Sequence, residues 1–357
     1  MWYKSVCIVF LLLTIVSCSS KDDSLDGYSP TPLPLEIPAV FAQYLNAPVT
    51  SSSNPQTVEG VALGKKLFFE KRLSGNGTQA CADCHRQENA FSDPRQFSIG
   101  IDGIAGFRNS MPLHNLAWNY NQKFNWDGSA TTLEQQVFEP VTNPIEMNNT
   151  WQNVVNTLQS DSQYPELFKE AFGASTIDSV MVSNALAQFI RTLISANSPF
   201  DRYLMGDTNA LTPQEINGFN VFMAEDKGDC FHCHGNMFNP LWTDNTFHNN
   251  GLDEFFADLG LGGVSGDPFD YGKFRAPSLR NLAYTAPYMH DGRFETLDDV
   301  INHYSEGLVY SETIDPLMKS IAQGGVQLSE EDKADLKAFL LSVSDPEFIS
   351  NPDFMEN

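Results

Sequence analysis

Four of the six cysteines in this 357-residue chain fall into two copies of one pattern. These are Cys81-Ala-Asp-Cys84-His85 and Cys230-Phe-His-Cys233-His234, 149 residues apart. In an exported protein, C-x-x-C-H reads as covalent attachment of a c-type haem. Two thiols add across the two vinyl groups of one porphyrin, and the adjacent histidine reaches the iron. Three other readings compete. A zinc site would pool the two pairs into one four-ligand set, yet each pair carries its own histidine. A redox dithiol usually sits in a βαβ context, which is missing. Two disulfides would leave both histidines without a role. The pattern therefore assigns Cys81, Cys84 and His85 to an N-terminal haem, and Cys230, Cys233 and His234 to a C-terminal one. His232 reads as a spacer inside the second motif.

The remaining histidines are His114, His248, His290 and His303. His114 is the one local candidate for the second axial position of the N-terminal haem, and it sits in a segment that reads as structural. A haem with a single protein ligand keeps a position open for peroxide or oxygen. That points to chemistry rather than to electron transfer alone.

The elements around the motifs repeat. Asn-Leu-Ala-aromatic occurs at 115–118 and again at 281–284. Trp126-Asp-Gly precedes Leu133 as His290-Asp-Gly precedes Leu297. This is the outline of a duplicated domain with a boundary near residue 205, giving domains at 37–204 and 205–357. Helix starts are legible at Thr132, Thr212, Thr296 and Ser329, each a hydroxyl followed by an acceptor side chain about three residues on. Pro213 stands at a first helical position. Residues 180–194 carry apolar positions at helical spacing, which predicts a packed interior helix. Sustained two-residue alternation is scarce. The expected fold is all-α: two cytochrome-c-like domains, each with one covalent haem, long loops and little sheet. Loops such as 98–128 and 235–278 need something to pack around, and two haems supply it.

Lys plus Arg total 21 against 45 for Asp plus Glu, a formal charge of −24. Such a chain lacks the cations that neutralise phosphates, which excludes nucleic acid and fits a basic protein partner. Residues 1–18 form a signal peptide whose apolar run is too short to span a bilayer. Its end, Ile15-Val-Ser-Cys18, resembles a bacterial lipobox, with Cys18 as the lipidation site. Residues 19–36 read as a flexible tether, and Lys21-Asp-Asp within it is compatible with export to the outer surface. The expected location is the cell envelope, as a periplasmic or outer-membrane lipoprotein held to the membrane by its lipid anchor alone.

With these motifs in hand, the chain resembles the bacterial dihaem cytochrome c peroxidases and the related MauG enzymes over roughly residues 37–345. The resemblance rests on EGVALGKKLFFEKRLS, GIAGFRNSMPLHN, FNWDGSATTLEQQ, NPIEM and APSLRNLAYTAPYMHDGRFETLDDV. It implies that Trp126 lies between the haems and that Glu146 of NPIEM is the distal acid–base of the N-terminal haem. A base there moves a proton between the two peroxide oxygens. Gln136 matches another polar residue of that pocket. The resemblance also implies one Ca2+ between the haems, held by Asn109 and the carbonyls of Thr285 and Pro287, oxygen donors that suit this ion. Family peroxidases are often homodimers, although no dimer motif is evident here.

Three departures from the family pattern stand out. The loop 98–107 lacks the distal histidine that many of these peroxidases must swing away, so the N-terminal haem is expected to be open without an activation switch. The position of the family's C-terminal methionine ligand is Tyr304, and MauG carries tyrosine there. A phenolate favours ferric and higher oxidation states, whereas methionine raises the potential. Met289 is the rival ligand. Ser129 stands where the family has an arginine after Trp-Asp-Gly.

The expected function is a dihaem c-type peroxidase that reduces hydrogen peroxide with electrons from a small redox protein, a cytochrome c or cupredoxin. One alternative is a MauG-like enzyme that oxidises residues of a partner protein, favoured by the missing distal histidine and by Tyr304. Another is a plain dihaem electron carrier, which would need a second ligand on the N-terminal iron.

Overall fold

The computed structural model describes residues 28–356. The signal peptide, Cys18 and the first half of the expected tether, 19–27, lie outside the described residues. The stretch from residue 28 is held against the first domain: the Tyr28 hydroxyl donates to the Ala171 carbonyl at 2.8 Å, and Leu33 N–H donates to the Gln56 carbonyl at 3.0 Å.

The fold is mostly helical. Among the described residues, the one two-stranded ladder pairs Phe247–His248 with Phe274–Arg275 in antiparallel register. All four expected helix starts carry a hydroxyl N-cap: Thr132 before Leu133–Thr142, Thr212 before Pro213–Met223, Thr296 before Leu297–Glu306 and Ser329 before Glu330–Ser342. The interior helix runs Ser179–Arg191, capped by Asp178. No helix of the described residues is long and apolar enough to cross a membrane.

Each half is organised around one crossed helix pair. Helix Val58–Phe68 packs on Ser179–Arg191, and helix Pro213–Met223 packs on Glu330–Ser342. Glycine makes both crossings possible. A Cβ at Gly64 would overlap the Ala185 carbonyl, and one at Gly218 would overlap the Asp335 carbonyl. Backbones this close leave no room for a methyl group.

The first core gathers Phe68, Phe91, Leu158, Phe168 and Phe189. The second stacks Phe200, Phe222, Trp242 and Phe339 at centroid distances of 5.1–5.7 Å. Packing crosses residue 205 in both directions. Phe200 sits in the second core, while Phe348 and Phe354 return from the chain's end to pack on Phe91 at 5.6 and 6.1 Å. A third cluster, with Phe41 and Trp118 in edge contact at 4.9 Å and Leu241 beside them, joins the halves.

The sequence repeat is also a backbone repeat. Asn115 and Asn281 both adopt the left-handed conformation, at φ 58° and 64°, which asparagine tolerates better than most residues. The carbonyl of each accepts a turn bond from three residues on, Asn115 from Trp118 N–H and Asn281 from Tyr284 N–H.

Candidate active site

Both motif histidines are presented in the same way. His85 Nδ1 lies 2.8 Å from the Phe91 carbonyl, and His234 Nδ1 lies 3.2 Å from that of Pro277. A carbonyl only accepts, so Nδ1 carries the proton in each ring and Nε2 is the nitrogen left to ligate. Ser110 Oγ stands 3.5 Å from His85 Nε2, at the outer limit of a hydrogen bond. Burial lowers the pKa of His85 and takes His234 down to about 4, so both rings are neutral at ordinary pH. Burial also pushes the Cys81 and Cys230 thiols up to about 12. A redox dithiol needs the opposite shift. Among the described residues, no group of three or more His, Cys, Asp or Glu side chains converges as a metal site, so the two pairs do not pool around zinc.

Beside the second motif opens a cavity enclosing about 1430 Å³ of empty space, mouth included. Cys230, Cys233 and His234 line it, with Trp126, Met289 and Tyr304 also on its walls. Two thiols, an imidazole with Nε2 free and a mainly apolar cradle of this size fit a covalent haem.

The first motif faces a different wall. Glu146 sits in the turn after helix Leu133–Thr142. Its Oε1 accepts from Asn143 Nδ2 at 2.6 Å, and its carbonyl accepts from Ile101 N–H at 2.9 Å. Gly100 lets the 98–107 loop close on this turn, because a Cβ there would overlap the Ile145 carbonyl. Burial, with a smaller contribution from Glu139, raises the Glu146 pKa above the ordinary carboxylate range, and its charge is felt at Cys81. Gln136 shares a helix face with Pro140, whose carbonyl receives Met147 N–H at 3.2 Å, so its face runs alongside the Glu146 turn. The 98–107 loop is pinned at both ends. Ser98 Oγ donates to Asp93 at 2.7 Å, and Arg108 ties to Asp127 and Asp258 at 2.5 and 2.7 Å.

Trp126 is buried between the halves. Its Nε1 donates to the Asn109 carbonyl at 2.8 Å, and its own carbonyl accepts from Arg275 N–H at 2.8 Å. Asn109 N–H donates to the His290 carbonyl at 2.7 Å, which brings Asn109 against the segment that holds Thr285 and Pro287. The Asn109 Nδ2 donates to the Arg95 and Gln96 carbonyls at 3.1 and 3.2 Å.

Tyr304 and Met289 are brought together. Asn250 Nδ2 donates to Tyr304 Oη at 3.1 Å and lies 3.5 Å from Met289 Sδ. Burial raises the Tyr304 pKa and the Asn250 contact opposes it. Asn250 is a site residue that no motif announces. Another is His248, on the cavity wall between Asp244 at 2.9 Å and Asp315 at 2.6 Å. Burial pulls its pKa down, but the two carboxylates prevail and push it up to about 12. His114 lies elsewhere, edge-on to Phe348 at 6.0 Å; burial takes it down to about 3, and neither ring nitrogen has a hydrogen-bond partner among the described residues.

The family model described as "Di-haem cytochrome c peroxidase" matches residues 58–209. The methylamine utilization protein MauG of Methylophilus methylotrophus is 38% identical over 293 residues, covering 82% of this chain and 84% of that protein. Cytochrome-c peroxidase IdrP1 of Pseudomonas sp. (strain SCT) is 31% identical over 382 residues, covering 98% and 94%. The crystal structure of a MauG-like protein associated with microbial copper homeostasis superposes with a TM-score of 0.79 at 35% identity, covering 88% of this chain and 97% of that one. The paired C-x-x-C-H motifs and these likenesses lead to one conclusion: the chain belongs to the dihaem cytochrome c peroxidase and MauG family, a peroxide-acting oxidoreductase with two c-type haems.

Proposed function

We propose that the two haem sites divide the labour, with peroxide reacting at the N-terminal site and electrons entering at the C-terminal one. The observation that supports this is Glu146, a half-buried carboxylate held by Asn143 on the first half's wall, while the second half presents Tyr304 and Met289. Bound haem would supply redox-active iron, held by His85 at one site and by His234 at the other. Glu146, ionised, takes a proton from the inner oxygen of peroxide and returns it to the outer one. Gln136 orients the substrate by hydrogen bonding. Trp126, fixed by the Asn109 carbonyl, couples the two sites. Tyr304, held in place by Asn250, would help hold the C-terminal haem iron, with Met289 as its rival. Asn109, Thr285 and Pro287 hold one Ca2+ between the halves. A small basic cytochrome or cupredoxin suits the −24 charge as electron donor. Lipidated Cys18 keeps the protein in the cell envelope, and a homodimer is the proposed assembly.

The second reading is MauG-like, oxidising residues of a partner protein. The tyrosine at 304 and the pinned, histidine-free 98–107 loop favour it. One titration separates the two. One equivalent of hydrogen peroxide is added to the fully oxidised protein without reductant, and optical and EPR spectra are followed. One high-spin and one low-spin haem are expected at the start; two low-spin haems would overturn the open N-terminal site. Rapid loss of both ferric signals favours the MauG-like reading. No reaction before reduction of the C-terminal haem favours the peroxidase cycle.

A further inference from the structure

Three arginines are buried: Arg191, Arg275 and Arg280. Two of them have carboxylates. Arg191 meets Glu134 at 2.7 Å, and Arg280 grips Asp201 through both Nη atoms at 2.8 and 2.5 Å. Arg275 has none within ion-pair distance among the described residues. Its guanidinium touches the Asn245 side-chain oxygen at 2.9 Å, the Asn125 carbonyl at 3.3 Å and Met111 Sδ at 3.2 Å. These are neutral acceptors. Burial lowers its pKa only to about 10, so the group stays charged.

A buried cation without a counterion is strongly destabilising, and the surroundings show where an anion would sit. Arg275 lines the large cavity together with Cys230, Cys233 and His234. The other fixed cation on that wall, Lys319, already has Asp229 at 2.7 Å. His248 is likewise occupied by Asp244 and Asp315. Arg275 is thus the unmatched charge in a cradle shaped for a cofactor that carries two carboxylates. A planar guanidinium is also the side chain best suited to a bidentate carboxylate bond.

We propose that Arg275 is the counterion of a propionate on the C-terminal haem, and that through this bond it raises that haem's potential and fixes its edge against Trp126. The coupling to Trp126 is built into the backbone, since Arg275 N–H holds the Trp126 carbonyl at 2.8 Å. Arg275 is a positioning residue. A positive charge beside the haem favours the state with one more electron; losing it also leaves the propionate's own negative charge without compensation.

The inference rests on the two-haem reading, so haem stoichiometry is measured first. A wild-type chain carrying fewer than two haems would sink that reading and the inference with it. The test then compares full-length holoprotein with Arg275→Gln and Arg275→Lys, using spectropotentiometry and resonance Raman spectra of the propionate bending bands. Arg275→Gln is expected to lower the midpoint potential of the C-terminal haem and shift one propionate band, with two haems still bound. Arg275→Lys keeps the charge but loses the fork, so it holds the potential near wild type while still shifting the band. Unchanged potential and bands in a two-haem Arg275→Gln protein would overturn the proposal. If that variant fails to mature, an unchanged propionate band in Arg275→Lys does the same. A small inorganic anion in place of the propionate would show as a wild-type potential that follows chloride concentration in place of sulfate, and this result also overturns it.

Discussion

Helix Val58–Phe68 meets helix Ser179–Arg191 at Gly64, and helix Pro213–Met223 meets helix Glu330–Ser342 at Gly218, each glycine against a backbone carbonyl. Both halves then lay a C-x-x-C-H motif on their helix pair and aim its histidine with a carbonyl acceptor, Phe91 in one and Pro277 in the other. The walls opposite those histidines diverge. The first half brings up a carboxylate from the turn after a helix. The second brings up a phenol from within helix Leu297–Glu306 and a thioether from the loop before it. The difference separates two design layers. The crossed helices and the attachment motif fix where a haem sits. In the division of labour proposed above, a few side chains on the far wall set whether a site reacts with peroxide or passes electrons.

The strongest way to break that division is to remove the carboxylate. Glu146→Gln keeps the shape and the Asn143 contact but cannot accept a proton. The rate of reaction with peroxide is expected to fall by about 10²–10⁴, with two haems bound and the C-terminal spectrum unchanged. The pH profile sharpens the claim. Burial holds the Glu146 pKa above the ordinary carboxylate range, and the base is the ionised form. The wild-type rate should therefore climb as pH rises through that raised value, and the climb should vanish in the variant. Stopped-flow rates across pH measure both. A variant within threefold of wild type would remove Glu146 from the chemistry.

On the second half, Tyr304→Phe and Met289→Leu ask which atom faces the iron. Loss of the low-spin C-terminal EPR signal in Tyr304→Phe, and its retention in Met289→Leu, are expected. The reverse pattern moves the ligand to Met289. Asn250→Ala should give a smaller shift of the same signal, because Asn250 reaches both candidates. No change in any of the three variants would place the second ligand elsewhere.

The scaffold layer predicts symmetry where the walls predict difference. Gly64→Ala and Gly218→Ala each force a methyl group into a carbonyl, and overpacking of this kind costs about 1–3 kcal/mol. Calorimetry should show a lowered transition for each. If one substitution is silent, the two crossings are not equivalent and the structural duplication ends at the motifs.

This symmetric layer was the legible one. Haem attachment depends on five consecutive residues, helix starts on four, and the asparagine turns on a short repeated string, so local sequence carries them. The residues that escaped notice depend on distant partners. His248 acquires its charge from Asp244 and from Asp315, the second of them 67 positions away, and Arg275 is defined by the carboxylate it lacks. Phe348 and Phe354 fall within the expected second domain, yet they close the first core by packing on Phe91. Nothing in their spacing announces a return across the molecule. Tyr304 and Glu146 fall between these cases. Their positions follow from the resemblance to the family, while the Asn250 and Asn143 contacts that hold them emerge only from the fold.

The smallest expected effect concerns the helices that carry those walls. Leu133–Thr142 leads to Glu146, and Leu297–Glu306 carries Tyr304. Both begin with threonine, but the caps differ. Thr296 and Asp299 bond reciprocally: Asp299 accepts from Thr296 N–H at 3.0 Å, and Thr296 Oγ1 accepts from Asp299 N–H at 3.2 Å. Thr132 accepts from Gln135 N–H at 3.0 Å, yet the Gln135 side chain turns past it to Thr131. Asp299→Ala therefore removes half of a closed capping box and an anion from a helix N-terminus, which lowers stability by about 1 kcal/mol. Gln135→Ala removes only an exposed, neutral contact outside the helix and should cost less than about 0.5 kcal/mol. Thermal unfolding of the two variants side by side measures the gap. Salt should narrow it, because the Asp299 contribution is partly a charge near a dipole. Equal losses at low and high salt would mean that the two caps work alike, and that the asymmetry between the halves does not extend to the starts of these helices.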